Sequence, residues 1–428
     1  MARFCQTCHD AQDNDPPSKQ GVRIRASVFF DGTLNSRTNT SLGKPDSKSW
    51  LGSYDSYKDD YSNVSKLEEV LLLPHKGYDL SNHFYIEGIG TKDGESDSFK
   101  GYALGIGDTG IDAKAKKGID DIYKFITERM SKDVPITCIH LDSFGFSRGA
   151  AAARYFIHQA IYNSDTALKE RLAHDGFTVG EVKTRFVGLF DTVSYYGGID
   201  NLHLNAVQHA EKVVQLAAAE EHRTNFSLKN IKSAVNAGVG LQIYLPGVHS
   251  DIGGGYVDGS NEADWKLLLI NVDANPDNVY YMPNSGDITV TVNREYQWMI
   301  EHGWYYQAEL QKDDVSLTGN RSSIHNTYAR IPLQMMAKYA MELALSFDIS
   351  QYNVPPDLAE IDAMLKGYAV SKGNASQASD WFNNVTPQLQ ALRHQYLHFS
   401  ANYGISNAPN WSTGDPITGQ RQRIIEDG

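Results

Sequence analysis

Cysteine is scarce in this 428-residue chain, which contains only Cys5, Cys8 and Cys138. An odd and sparse set in a long sequence excludes a disulfide scaffold. Cys5, Cys8 and His9 have the spacing of a c-type haem attachment motif, but haem attachment requires export, and no apolar signal-peptide stretch precedes them. No second Cys/His cluster completes a set of four zinc ligands, so we expect no metal and no cofactor.

Long apolar runs and basic clusters are missing as well. Nowhere do about 18 consecutive apolar residues occur, so we expect no transmembrane helix. The 39 Lys and Arg against 52 Asp and Glu give a net charge of −13, which argues against nucleic acid as a partner. We expect a protein made in the cytoplasm, which needs a machine other than the general secretory pathway if it acts elsewhere.

What the sequence does contain is an alternation of strand-like and helix-like segments over its first 275 residues. Apolar residues make up 41% of the chain, enough for a sizeable core. Strands are predicted at 22–30, 83–87, 135–141, 184–190 and 240–245, and helices at 63–73, 111–130, 150–161 and 206–221. This order predicts an α/β fold with a mostly parallel sheet flanked by helices.

The chain divides into three predicted regions. Residues 1–21 form a polar leader, residues 22–275 a catalytic α/β domain, and residues 276–428 a largely helical cap that ends in a loop-like tail. Strand signals become rare after about residue 276. Helices are predicted there at 294–312, 330–347 and 386–400.

One segment indicates chemistry. Gly145-Phe-Ser147-Arg-Gly149 follows an apolar strand and opens an alanine-rich helix. This is the context of a nucleophile elbow, in which a strained turn exposes a serine and requires small neighbours. The spacing therefore predicts Ser147 as a nucleophile on an α/β-hydrolase fold.

A serine hydroxyl needs a base to take its proton, and in this fold an acid and then a histidine follow the elbow. Asp191 ends the strand-like run at 184–190, and His249 follows the run at 240–245. Both residues fit the expected chain order of serine, acid and histidine, and both lie after strand-like runs. The rival histidines are His302, His325, His394 and His398, and the rival acid is Asp251, which lies only two residues from His249.

The oxyanion of an acyl-transfer reaction requires two donors. One is the backbone N–H of Arg148, the residue after the nucleophile. The other is expected in the loop after the first strand, so we predict the N–H of Gly32 or Thr33. An ordinary turn is the alternative interpretation of that Asp-Gly-Thr sequence.

Weaker patterns have plainer interpretations. Gly105-x-Gly107-x-x-Gly110 matches a dinucleotide fingerprint, but no strand directly precedes it, which favours a loop. The acidic pairs at 59–60 and 120–121 favour a solvated surface over a Ca²⁺ site. The aromatic run 304–306 favours a core over a lipid-binding mouth.

Five motifs together resemble a known family. FFDGTLN at 29–35, GFSRGA at 145–150, GLFDTV at 188–193, EEHRTNF at 220–226 and LPGVHSDIGGGY at 245–256 are similar to the type VI secretion lipase effectors of the Tle class and their bacterial and fungal α/β-hydrolase relatives. The resemblance spans roughly residues 22–260. IHNTYARIPL and LRHQYLHFS, further on, are similar more weakly.

The resemblance implies a phospholipase A or lipase that is made in the cytoplasm, carried by a secretion spike or adaptor and delivered into a rival bacterium. There it would cleave acyl esters of the target's phospholipid membrane, from the periplasmic side, while a cognate immunity protein protects the producer. It also implies that Ser147, Asp191 and His249 are the triad. The alternatives are a soluble carboxylesterase on the same triad and a delivered binding protein without catalysis. Family members often carry larger insertions, and the modest cap here leaves membrane anchoring unassigned.

Overall fold

The computed structural model describes residues 21–43, 55–98, 101, 105–194, 202–270, 285–404 and 407–428. Nearly all of the predicted leader, with its Cys5-x-x-Cys8-His9 motif, and the predicted boundary between residues 275 and 276 lie outside these ranges. That boundary therefore stays a prediction. None of the described helices is both long and apolar enough to cross a membrane.

The strands are β1 (Val22–Phe30), β2 (Leu80–Ile86), β3 (Ile136–Phe146), β4 (Val179–Phe190), β5 (Lys212–Ala218), β6 (Leu228–Lys229), β7 (Gly240–Leu245), β8 (Ser260–Leu269), β9 (Leu310–Lys312), β10 (Ser316–Ile324) and β11 (Ile425–Glu426). The helices are α1 (Arg37–Leu42), α2 (Asn63–Glu69), α3 (Ile111–Arg129), α4 (Arg148–Ile157), α5 (Leu168–His174), α6 (Lys232–Asn236), α7 (His249–Gly253), α8 (Ser285–Glu301), α9 (Arg330–Met341), α10 (Ala359–Lys372), α11 (Ser379–Phe382) and α12 (Pro387–Tyr396).

The main sheet has the strand order β2-β1-β3-β4-β5-β7, and every neighbouring pair is parallel. Alternate residues of β1 face opposite sides of it. Ile24, Val28 and Phe30 join an apolar cluster with α3 and α4, whereas Phe29 joins a second cluster with α2 and α9. The sheet is parallel and buried on both faces, so the carboxyl ends of its strands lie along one edge. Ligands of α/β folds bind at that edge.

The predicted parallel sheet flanked by helices is confirmed, and so is a helical C-terminal region. The structure adds two small sheets, each of which joins a strand from residues 22–275 to strands of the C-terminal region. β8, β10 and β9 form an antiparallel sheet in that order, and β11 pairs in parallel with β6.

The helix predicted at 206–221 is wrong, because residues 212–218 form the buried strand β5. A strand covered on both faces lacks the polar alternation that identifies a half-exposed strand. Val213 and Val214 were the available strand signal, and the alanines that follow them favoured a helix.

The helix predicted at 294–312 is also partly wrong. Helix α8 ends at Glu301, and β9 and β10 follow it. The sequence of β10, SLTGNRSSI, is mostly polar and has no period-two alternation, so its pairing with β8 leaves no local signal.

Candidate active site

Ser147 occupies a strained turn between β3 and α4. Its φ of 59° and ψ of −130° lie in a region that residues other than glycine rarely adopt. The turn is held on both sides, because the Ser147 N–H donates to the carbonyl of Phe190 at 3.1 Å and its carbonyl accepts from the N–H of Val193 at 3.2 Å. The geometry is that of a nucleophile elbow at the N-terminus of a buried helix.

The two glycines of the elbow are required by close backbone approach. A Cβ on Gly149 would lie 2.1 Å from the carbonyl oxygen of Asp31, and a Cβ on Gly145 would lie 2.5 Å from the Cα of Ala150. Neither contact involves a flexible side chain that can move away. The sequence spacing therefore follows from packing between the elbow, its helix and the loop after β1.

Asp191 and His249 come together next to this turn. Asp191 directly follows β4, adopts a positive φ of 43° and accepts a hydrogen bond from the N–H of Ala218 at 2.8 Å. Its Oδ2 lies 2.6 Å from Nδ1 of His249, the first residue of α7. This contact fixes one ring nitrogen of the imidazole and leaves Nε2 for a second partner.

Two aromatic rings hold the imidazole of His249. The ring of Phe146, the residue before Ser147, lies 4.6 Å from it between centroids, and the ring of Phe226 meets it edge-on at 5.0 Å. Burial lowers the pKa of His249 below its ordinary value, although the hydrogen bond to Asp191 opposes this shift. A neutral imidazole, able to accept a proton, is the consequence.

Ser147 directly follows Phe146, whose ring contacts the imidazole of His249, but the serine and the histidine have no direct bond. Among the described residues, no hydrogen bond joins Oγ of Ser147 to the imidazole, although Ser147 and His249 are each only 4% exposed. Catalytic hydrogen bonds are often long before substrate binds and tighten in the complex. The structure thus brings the three predicted triad residues into one place and bonds two of them.

The predicted oxyanion donors surround the same turn, but they differ in availability. The N–H of Gly32 donates to Oδ1 of Asp31 at 2.8 Å and is therefore engaged. Thr33 is partly exposed, and its Oγ1 accepts from Nε of Arg148 at 2.8 Å, which ties the loop to the elbow helix. Of the two candidates in this loop, the Gly32 N–H thus already has an acceptor.

The rivals Asp251 and His398 pair with each other. Nδ1 of His398 lies 2.8 Å from Oδ1 of Asp251, and its Nε2 lies 2.8 Å from Oγ of Ser260. This is a second Ser–His–Asp array, in which Asp251 also accepts the N–H of Val248 and so supports the start of α7. Ser260 begins a strand and has no positive φ, so it lacks the strained turn and helix N-terminus that Ser147 has.

The remaining rival histidines have other partners away from the triad. His302 contacts the carbonyl of Trp298, His325 contacts Asp258, and His394 contacts Glu309. Of the aromatic run 304–306, Trp304 and Tyr305 are buried in the core, and Tyr306 is exposed. Among the described residues no group of three His, Cys, Asp or Glu side chains is arranged to hold a metal ion.

Three charged residues at the site were not predicted from the sequence. Nη2 of Arg423 lies 3.0 Å from the Asp191 carboxylate, and Glu221, paired with Arg223, accepts the N–H of His249 at 3.3 Å. Burial alone would raise the pKa of the Asp191 carboxyl, but Arg423 and His249 hold it below its ordinary value. Glu221 and Arg223 stand in a motif quoted above, whereas nothing near Arg423 in sequence marks it.

Comparison with known proteins gives one family match. A family model described as "T6SS, Phospholipase effector Tle1-like, catalytic domain" matches residues 25–164 and 157–301, together more than half of the chain. No curated protein sequence matches the chain.

Solved structures give a fold match. A structure of the Tle1 effector bound to the VgrG spike from the type 6 secretion system is similar with a TM-score of 0.61 and 20% identity, over 95% of this chain and 94% of that chain. An uncharacterized protein from Pseudomonas aeruginosa follows with a TM-score of 0.41 and 16% identity, over 84% of this chain and 52% of that one. At 20% identity, the first likeness shows a shared fold.

Proposed function

The chain belongs to the family of Tle1-like phospholipase effectors of the type VI secretion system, and from this premise we propose that it is a serine hydrolase that cleaves phospholipid acyl esters, with Ser147, Asp191 and His249 as its triad. The observation that carries this proposal is the strained Ser147 turn beside the 2.6 Å contact of Asp191 with His249. A serine in that turn, an imidazole beside it and a carboxylate behind the imidazole are the parts that acyl transfer requires.

The reaction proceeds through an acyl-enzyme. Oγ of Ser147 attacks the ester carbonyl while Nε2 of His249 takes the hydroxyl proton, and Asp191 holds the imidazole through Nδ1. The tetrahedral intermediate collapses, and the proton passes to the oxygen of the departing lysophospholipid. Water then attacks the acyl-enzyme with His249 again as base, which releases the fatty acid and restores the serine.

The developing oxyanion is stabilised by backbone donors. We assign this role to the N–H groups of Arg148, at the start of α4, and of Thr33 in the loop after β1. The engagement of the Gly32 N–H by Asp31 supports Thr33 over Gly32. The hydrogen bond between the Arg148 side chain and Oγ1 of Thr33 supports a fixed distance between the two donors.

Membership of this family supports a proposal for the biological setting. We propose that the protein is made in the cytoplasm, is carried by a secretion spike protein or an adaptor, and attacks the membrane of a rival cell from its periplasm. A cognate immunity protein would protect the producer. The likeness to a Tle1 effector bound to a VgrG spike supports a spike as the carrier.

The test uses vesicles of phosphatidylethanolamine and phosphatidylglycerol, with mass spectrometry of the products. Wild type and the matched control Ser260→Ala are expected to release lysophospholipid and fatty acid, whereas Ser147→Ala releases neither. Loss of activity in the Ser260 variant alone would instead move the reaction to the second array. Turnover of soluble short-chain esters but not of vesicles would favour a carboxylesterase, and killing of target cells that survives Ser147→Ala would favour a non-catalytic role.

A further inference from the structure

Arg423 reaches the proposed catalytic acid from a segment 232 residues away in sequence. Its Nη2 lies 3.0 Å from both oxygens of the Asp191 carboxylate. The two side chains are 2% and 0% exposed, so water does not screen this pair. Burying such a charge pair costs the desolvation of both ions. Removing one partner strongly destabilises the fold, because the other charge is left buried and unpaired.

The segment that carries Arg423 is fixed on either side of it. Nη1 of Arg423 donates to the carbonyl of Ala218 at 2.9 Å, and the N–H of Ala218 donates to Asp191 at 2.8 Å. Directly after Arg423, the carbonyl of Ile424 accepts from the N–H of Leu228 at 2.9 Å, and β11 then pairs with β6. The guanidinium fork is therefore seated on the end of β5 and on the acid together.

We propose that Arg423 is a positioning residue of the triad: its guanidinium fork keeps the Asp191 carboxylate ionised and oriented toward Nδ1 of His249. This inference rests on the proposed function and adds a fourth residue to its machinery. Arg423 does not touch the substrate; it acts through the acid. A planar fork can bond a carboxylate and a carbonyl at once, which a lysine ammonium at the same place does with less geometric control.

The charges that face the Asp191–His249 pair make this role testable. Asp191 faces Arg423 and the imidazole, and His249 also faces Glu221, which is paired with Arg223. The negative charges of the two acids and the positive charges of the two arginines thus cancel around a neutral imidazole. Removing Arg423 leaves one uncompensated negative charge, which raises the affinity of the Asp191–His249 pair for a proton.

The chain offers a matched control two residues earlier. Arg421 lies in the same segment, and its side chain is 1% exposed, close to the 2% of the Arg423 side chain. Its Nε pairs with Glu295 at 3.0 Å and not with Asp191. A loss that comes only from loosening this segment should therefore appear in variants of either arginine, whereas a change in the titration of the triad should appear only with Arg423.

The experiment measures kcat/KM of the full chain on a monomeric short-chain phosphatidylcholine between pH 5 and pH 9. Arg423→Gln is expected to lower kcat/KM at neutral pH by about 10² and to move the acidic limb of the profile up by about one pH unit. Arg421→Gln is expected to leave that limb in place. An unshifted limb in folded Arg423→Gln, or an equal shift in both variants, would overturn the proposal.

Arg423→Lys keeps the inference testable if the glutamine variant does not fold. It is expected to keep the acidic limb of wild type, because the positive charge remains, but to lose several-fold in kcat because the fork is gone. Wild-type kcat in Arg423→Lys would contradict the positioning role. An inactive wild type or an active Ser147→Ala would mark a failure of the proposed function itself, which neither arginine variant tests.

Discussion

Asp191 shows at the scale of one residue how environment sets chemical role. Full burial disfavours its charged form and, acting alone, would raise its pKa. Arg423, the N–H of Ala218 and the ring of His249 all favour the carboxylate and lower its pKa. The acid can then stabilise an imidazolium during the reaction without becoming protonated.

Replacement of this acid gives a direct prediction. Asp191→Asn is expected to lower kcat on short-chain phosphatidylcholine by about 10⁴, because an amide no longer fixes the tautomer of His249. It should also lower the free energy of unfolding by about 3–5 kcal/mol, because Arg423 is left buried without its partner. Steady-state kinetics and urea denaturation measure the two effects.

Asp251→Asn is the control for that prediction. Its carboxylate bonds to His398 and to the start of α7, so it should lose stability but keep far more of kcat than Asp191→Asn does. If Asp251→Asn loses about 10⁴ in kcat while Asp191→Asn stays within tenfold of wild type, the acid has been assigned wrongly.

Ser147, Asp191 and His249 could be predicted from the sequence because each closely follows an apolar run that predicts a buried strand. Arg423 could not be predicted, because a charged residue in a polar tail looks like any solvated side chain. The bonds of Arg423 to Asp191 and Ala218 span more than 200 residues, and no local pattern encodes them.

At the scale of one element, the turn between β3 and α4 is packed so closely that it requires glycine at positions 145 and 149. The loop after β1 passes so close to the elbow that Gly149 has the carbonyl of Asp31 where a side chain would begin. The same loop carries Thr33, which bonds to Arg148 on α4. Elbow and loop therefore hold their positions together.

Gly149→Ala tests this packing. Its Cβ would lie 2.1 Å from one backbone oxygen and 2.5 Å from another, so the loop must shift. We expect the free energy of unfolding to fall by about 1–3 kcal/mol and hydrolysis to be lost, because Thr33 moves with the loop. Urea denaturation and vesicle hydrolysis provide the readouts.

Gly367→Ala is the matched control, since Gly367 lies inside helix α10 and its Cβ would meet no atom within 4 Å. It should gain about 0.5–1 kcal/mol of stability and keep full activity. Wild-type stability and turnover in Gly149→Ala would mean that the elbow and the loop are less tightly packed than the structure describes.

Some strands could be predicted from the sequence and others could not. β1 was predicted with its correct ends, because VRIRASVFF is rich in β-branched and aromatic residues and stops at Asp-Gly. β5 was mistaken for a helix, because it is buried on both faces between β4 and β7 and therefore lacks polar alternation. The antiparallel pairing of β8 and β10 depends on tertiary contacts, and the sequence of β10 shows no period-two alternation that would predict it.

For the whole molecule, buried histidines make stability depend on pH. His222 is 2% exposed among the rings of Trp298, Phe382 and Phe399. Burial, together with the nearby Arg421, lowers its pKa from 6.5 to about 3. Burial likewise lowers the pKa of His75 to about 4. Both residues remain neutral in the folded chain at pH values where the unfolded chain protonates them.

The sign of the effect follows from that difference. Between pH 6.5 and about 3 the unfolded state binds the proton of His222 and the folded state does not, so acid favours unfolding. Through His222, the free energy of unfolding is expected to fall by about 2 kcal/mol between pH 7 and pH 5. His222→Gln is expected to flatten the pH dependence of the free energy of unfolding by that amount, as measured by urea denaturation at both pH values.

His174→Gln is the control for this comparison, because the His174 side chain is 88% exposed and should leave the slope unchanged. An equally steep slope in His222→Gln and wild type would show that the acid sensitivity originates elsewhere in the chain.

The proposed reaction depends on Ser147 as its nucleophile. A fluorophosphonate reacts with activated serines, so treating the full chain with it and locating the adduct by peptide mass spectrometry identifies the nucleophile. We expect one adduct, on the peptide that contains Ser147, and we expect it to be lost in His249→Gln. An adduct on Ser260, or hydrolysis that continues with Ser147 unmodified, would contradict it.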